Sequence, residues 1–204
     1  MGNEIGIPAS KMGITALAAT TPNIEMKEFE KLLGLFRKVS NEKQSDSIGK
    51  DEFQGQVLKQ MEKFSPPDQE LFNQLFVLFD ETGHDCIDYK AYLSGASVCL
   101  LSNPVREKLR FAFSVFDVEE TSSLNRADIK KALLAINMTA AYFGDPVLDP
   151  KEIEEVTLQM SKDLNIGGKV PFDTALDYLL PNPTIVKFMK GEGIVRFGAV
   201  ELRA

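Results

Sequence analysis

One pattern recurs four times along the 204-residue chain and restricts what it can fold into. An amphipathic helix runs into a twelve-residue polar loop, and a second apolar helix leads out. The eighth loop place is always aliphatic: Ile48, Ile87, Leu124 and Val170, separated by 39, 37 and 46 residues. A unit of this size cannot bury its apolar face alone, so the units must pack on one another. The third unit, Leu109–Ile136, is the clearest.

The flanking helices follow from spacing. Leu32, Leu35, Phe36 and Val39 share one face at three- and four-residue steps. Phe53, Val57 and Met61 continue as the exit helix of the first unit. Ser65-Pro66-Pro67-Asp68 starts the next helix, with a capping hydroxyl, proline in the first turn and an acid at the positive dipole end. Leu71, Phe72, Leu75, Phe76 and Phe79 form its apolar face. Asn103-Pro104 starts the third unit in the same way, lined by Leu109, Phe113 and Phe116. Ile129, Leu133, Leu134 and Ile136 pack its exit helix. Met138–Leu148 reads as a linker. Asp149-Pro150-Lys151-Glu152 opens the last unit as a capping box, and Ile153, Val156 and Met160 carry its first helix. Pro181-Asn182-Pro183 ends it.

A twelve-residue loop between two helices is the EF-hand, which holds calcium through oxygens at places one, three, five, seven, nine and twelve, with glycine at six. The fold expected is all-α, with four EF-hand units paired into two lobes and short two-residue β contacts between paired loops. Ile48 should face Ile87, and Leu124 should face Val170. The divisions are a flexible arm over residues 1–23, lobes over 24–101 and 102–180, and an extension over 181–204.

None of the loops is a good calcium loop. The first begins at Asn41, puts Lys43 at place three and Asp46 at six, and keeps Glu52 at twelve. The second has Asp80, Thr82, His84 and Asp88, but Asp85 at six and Ala91 at twelve, so the bidentate carboxylate is missing. The fourth keeps Asp163, Asn165 and Gly168, yet Gly167, Pro171 and Thr174 supply no carboxylate at five, nine and twelve. The third is the best: Asp117, Glu119, Thr121, Ser123 through its carbonyl, Asn125 and Asp128, with Ser122 in place of glycine. Aspartate at twelve is one methylene short, which suits magnesium at least as well as calcium. A weak calcium or magnesium site over 117–128 is therefore the only metal expected, and no other cofactor. The loops are otherwise expected to close on themselves through Thr82, Asp85, Thr121 and Ser122.

Other chemistry is sparse. A net charge of −7 argues against nucleic acid, whose phosphates need clustered Lys and Arg. Two cysteines, Cys86 and Cys99, make no disulfide framework and fit a reducing compartment. No apolar run reaches the ~18–20 residues of a membrane span, and neither a membrane-spanning helix nor a secretory signal is expected. Met1-Gly2 raises N-myristoylation, but Gly6 stands where the acceptor pattern wants Ser or Thr. His84 is a lone histidine with no nucleophile beside it, and no enzyme is expected. The segment from Thr184 mixes Ile185, Phe188, Ile194 and Phe197 with Lys187, Lys190, Arg196 and Arg203, and is read as folding back on the second lobe or docking a partner.

Arg106 to Phe113, followed by Val115-Phe116-Asp117, resembles the third hand of the calcineurin-B and neuronal-calcium-sensor branch of EF-hand proteins. The long step between the third and fourth loops is similar too. Asp149–Asp163 and the extension beyond Pro181 look most like calaxin and the EF-hand subunits of outer dynein arm docking complexes. The resemblance implies a cytoplasmic, non-catalytic interaction subunit that holds amphipathic or coiled-coil partner helices, among them dynein docking or microtubule-associated proteins at a ciliary or flagellar axoneme. Phe72, Phe76, Phe113, Phe116 and Met160 are the expected floor of the partner groove. The alternative is a calcium- or magnesium-responsive sensor acting through the third hand.

Overall fold

The structure, a computed structural model, describes residues 24–101, 103–165, 167–183 and 185. The arm over 1–23 with Gly2, and the extension beyond 183 apart from Ile185, lie outside them.

Among the described residues, eight α-helices and four short strands follow the repeat. The first hand is α1 (Met26–Lys43), β1 (Ser47–Gly49) and α2 (Lys50–Glu52). The second is α3 (Pro66–Phe79), β2 (Cys86–Asp88) and α4 (Tyr89–Leu100). The third is α5 (Val105–Phe116), β3 (Ser123–Leu124) and α6 (Arg126–Phe143). The fourth is α7 (Pro150–Asp163), β4 (Val170–Pro171) and α8 (Phe172–Leu179). Ile48 faces Ile87 and Leu124 faces Val170, both antiparallel. These four side chains are almost completely buried, so each loop pair is pinned by an apolar cross-strand contact. The first ribbon runs three residues, one longer than the contact expected.

Helix starts were well marked by sequence. Ser65 and Asp68 form a reciprocal capping box at α3, and Asp149 with Glu152 does so at α7. Asn103 differs: its amide donates to Glu107 Oε2 at 2.6 Å, and α5 begins one residue later, after Pro104.

Two elements depart from expectation. The exit of the first hand is not one α-helix. After α2 the chain widens into a π turn over Phe53–Val57 and then tightens into a 3-10 turn over Leu58–Gln60. Phe53 and Val57 are both fully buried by this route, and Phe53 lies against Phe36 and Phe76. Met138–Phe143 belongs to α6 rather than to a linker. The alanine-rich run continues the helix until Gly144 closes it at φ 74. The remaining connection is fastened by Asn137, whose side chain bonds both Leu148 N and Leu148 O.

The hands share their interior. The core around Phe29, Phe36, Phe53, Phe72 and Tyr92 also takes in Phe111, Val115, Ala135 and Phe143 from the second half of the chain. Val98 of α4 crosses the other way, into the core around Phe113, Ile136, Met160 and Leu176, which Ile185 also joins. The small face of α4 makes this possible: Ser94, Gly95, Ala96 and Ser97 are all buried, and Ser94 donates to Ala112 O. No helix among the described residues is long and apolar enough to cross a membrane.

Candidate functional site

The four loops are where this fold does chemistry, and they are not all closed alike. In the second, Asp80 at place one turns inward. Its carboxylate accepts from Asp85 N (2.9 Å), His84 N (3.2 Å) and the Thr82 hydroxyl (3.3 Å). Burial pushes its pKa up, and these donors outweigh it, holding the carboxyl below the usual carboxylate range. A cavity of about 430 Å3 remains, lined in part by Thr82, Asp88 and Ala91. Ala91 offers it no carboxylate, so the loop does not fit a calcium ion.

The third loop repeats the arrangement. Asp117 accepts from Ser122 N (2.7 Å), Thr121 N (3.1 Å) and the Thr121 hydroxyl (3.0 Å). Places four and six take positive φ in both loops: Gly83 and Asp85 in one, Glu120 and Ser122 in the other. The turn that glycine normally permits is therefore made by an aspartate and a serine.

Third-loop carboxylates are engaged elsewhere, however. Glu119 pairs with Lys169, which projects from the fourth loop. Asp128 accepts from the Asn125 amide (2.7 Å), while Asn125 caps α6 through Asp128 N (2.9 Å). Arg37 of α1 reaches across from the first hand, donating to Ser114 O (3.0 Å), Asp117 O (2.9 Å) and Glu120 (3.2 Å). These contacts cap the carbonyl end of α5. Lys169 borders the loop's cavity of about 240 Å3 together with Asp117, Asn125 and Asp128. Its bond to Glu119 raises its pKa against the opposing effect of burial, and the charges of Glu119, Asp117 and Asp128 add to the rise. Among the described residues, no three of His, Cys, Asp or Glu converge as a metal cluster.

In the fourth loop the Asp163 carboxylate is taken up by side chains of the flanking helices. It accepts from Tyr178 OH (2.7 Å) and from the Gln159 amide (2.6 Å). In the first, Lys43 donates to Ser47 O (3.1 Å) and Glu52 Oε2 (2.6 Å), and Glu52 also accepts from Gly49 N (2.8 Å). Asp46 and Asp85, which replace glycine at place six, pair across the ribbon with Lys90 (2.6 Å) and Lys50 (3.5 Å). The backbone adds a reciprocal pair beyond the strands, Lys50 N to Asp85 O and Tyr89 N to Asp46 O.

The Lys43 ammonium and then the Gly49 N–H hold Glu52 below its ordinary value of 4.5. A depressed carboxyl stabilises the fold above its unfolded pKa, and the contribution is lost as pH falls through the folded value. Melting temperature should therefore hold on this account from neutral pH to about pH 5 and drop below that. Thermal melts of Glu52→Gln over the same range should show a shallower acid drop. An identical drop in both proteins rules the pair out as its source.

The expected groove residues all lie inside. Phe72, Phe113 and Met160 are 0% exposed, Phe76 2% and Phe116 8%. The rings of Phe72, Phe76 and Phe113 are stacked or tilted on neighbours, as with Phe64 and Phe72 at 4.9 Å or Phe113 and Phe172 at 6.0 Å. All five side chains fill the cores in this closed arrangement. Neither Cys86 nor Cys99 is in a disulfide. In the sequence Lys43 stands only as a misplaced cation, and Arg37 carries no local mark of its role. Lys169 had a local signal: its neighbour Val170 points inward, so alternation turns the lysine to the loop side.

No protein-family model matches the chain. Among known proteins it is similar to calcium-binding protein NCSA of Dictyostelium discoideum, 29% identical over 65% of this chain and 66% of that one. It is 32% identical to guanylyl cyclase-activating protein 1 of Gallus gallus, over 65% of this chain and 71% of the relative. Calcineurin B of Candida glabrata is 24% identical over 83% of this chain and 88% of its own. The chain spans just under two thirds of the Dictyostelium protein and about half of the Lithobates pipiens form of guanylyl cyclase-activating protein 1.

Proposed function

We propose, for a chain that belongs to the EF-hand calcium-binding proteins of the calcineurin-B and neuronal-calcium-sensor branch, the role of a non-catalytic subunit set by its partner rather than switched by calcium. The observation that carries this reading is the engagement of the metal-ligand side chains with protein groups: Glu52 with Lys43, Glu119 with Lys169, and Asp163 with Tyr178. A loop satisfied in this way gains little from an ion, because binding must first break those contacts.

The partner is an amphipathic or coiled-coil helix, held by apolar faces of the two lobes. Phe72, Phe76, Phe113, Phe116 and Met160 become groove floor when a lobe opens around it. The calaxin-like stretch Asp149–Asp163 directs the search to coiled-coil proteins of dynein docking and microtubule assemblies, in the cytoplasm and at the axoneme.

Calorimetric titration tests the reading. Calcium and magnesium are expected to bind weakly or not at all, and affinity for a candidate coiled-coil peptide should be the same in calcium and in chelator. Micromolar calcium binding abolished by Asp117→Ala overturns it in favour of a sensor acting through the third hand.

A further inference from the structure

The first loop has not simply lost its metal ligands. Lys43 is both the last residue of α1 and the third place of the loop. Its ammonium meets Ser47 O and Glu52 Oε2 at 3.1 and 2.6 Å. Those oxygens stand at places seven and twelve, the backbone carbonyl and the carboxylate that a filled loop gives to calcium. A side chain that starts at a ligand position thus carries a positive charge back to two of the remaining ligands.

We propose that the Lys43 ammonium is the resident cation of the first loop, tethered at the oxygens of places seven and twelve and excluding a divalent ion from them. Three features support this. The last turn of α1 favours a cation, since its carbonyls carry the negative end of the helix dipole. Glu52 is held by Gly49 N as well as by Lys43, so the carboxylate that ends a calcium loop is fixed without calcium. The carbonyl of Ser47 belongs to β1, so the ammonium fastens the strand that pairs with β2. An ammonium makes fewer contacts than a divalent ion but is covalently attached, so the pairing of the first two hands does not depend on ion concentration. The inference rests on the reading above only in taking this one loop as closed by its own side chains.

The test uses the full chain. Lys43→Asn replaces the ammonium by a neutral side chain with an oxygen at place three. It should bind calcium at the first loop at least about 100-fold more tightly than the parent protein, because a repelling charge has been removed from the ligand shell. Its melting temperature should rise with calcium and fall again with chelator, and adding Glu52→Gln should abolish that response. In chelator, Lys43→Met and Glu52→Gln should each lower the melting temperature, with the double variant little worse than either, as expected for partners in one contact. Unchanged calcium affinity in Lys43→Asn overturns the proposal, and so do losses in Lys43→Met and Glu52→Gln that simply add. Calcium binding by the parent protein that Asp117→Ala removes overturns the functional reading and leaves this one standing.

Discussion

Gly95→Ala is expected to destabilise the protein by about 2–3 kcal/mol, with the loss read from urea unfolding followed by circular dichroism. The position is a close approach of α4 to α6. A Cβ built there meets Thr139 Oγ1 at 2.3 Å, Phe79 Cζ at 2.7 Å and Ala135 O at 2.8 Å. Only the first of these belongs to a small side chain, and its hydroxyl is committed to Ala135 O at 3.1 Å. Phe79 is packed edge-on against Tyr92, and Ala135 O is helix backbone. The helices therefore have to separate, which loosens the seam where the two halves share a core. Adding Thr139→Ala removes the nearest contact but leaves the other two, so it should restore only part of the loss. Full restoration by Thr139→Ala would place the whole clash on one hydroxyl and contradict the tight seam. An unaltered midpoint in Gly95→Ala would contradict it outright.

How much of this was legible in the sequence depends on the range of the interaction. The repeat and the facing of Ile48 with Ile87 and Leu124 with Val170 could be read because one aliphatic place per loop is set by the unit itself. Capping boxes at Ser65 and Asp149 could be read because both partners sit within four residues. The π turn at Phe53–Val57 could not. Its residues keep the apolar spacing of an α-helix, and the widening follows from packing Phe53 on Phe36 and Phe76. Alternation turns Lys169 to the loop side, but its partner Glu119, and the partner Glu120 of Arg37, lie 50 and 83 residues away and could not be read. The loops could be scored as poor metal sites from composition. That Asp46 and Asp85 replace glycine to pair with lysines of the opposite loop required the register of the ribbon. The role of Gly95 likewise needs α6 set against it, since the close contacts come from Thr139 and Ala135.

Tyr92→Ala should cost about 3–5 kcal/mol, whereas Tyr92→Phe should cost about 1 kcal/mol. Tyr92 is fully buried, and its ring lies edge-on to Phe36, Phe53 and Phe79 at 5.8, 5.4 and 5.6 Å and tilted to Phe72 at 6.4 Å. Those neighbours come from α1, α3 and the π turn, so truncation leaves a cavity that no single helix can close. Its hydroxyl donates to Phe72 O at 2.9 Å, and burial pushes its pKa well above the usual tyrosine value, so it stays a donor. Phe72 O lies within α3, where a helical N–H can still satisfy it, and Tyr92→Phe therefore orphans no buried acceptor. Denaturant unfolding of the two variants separates ring from hydroxyl. The near-ultraviolet signal, which comes from Tyr and Phe in a chain without tryptophan, should collapse in Tyr92→Ala and persist in Tyr92→Phe. Equal losses in the two variants would mean that the hydrogen bond, and not the aromatic packing, holds the first pair of hands together.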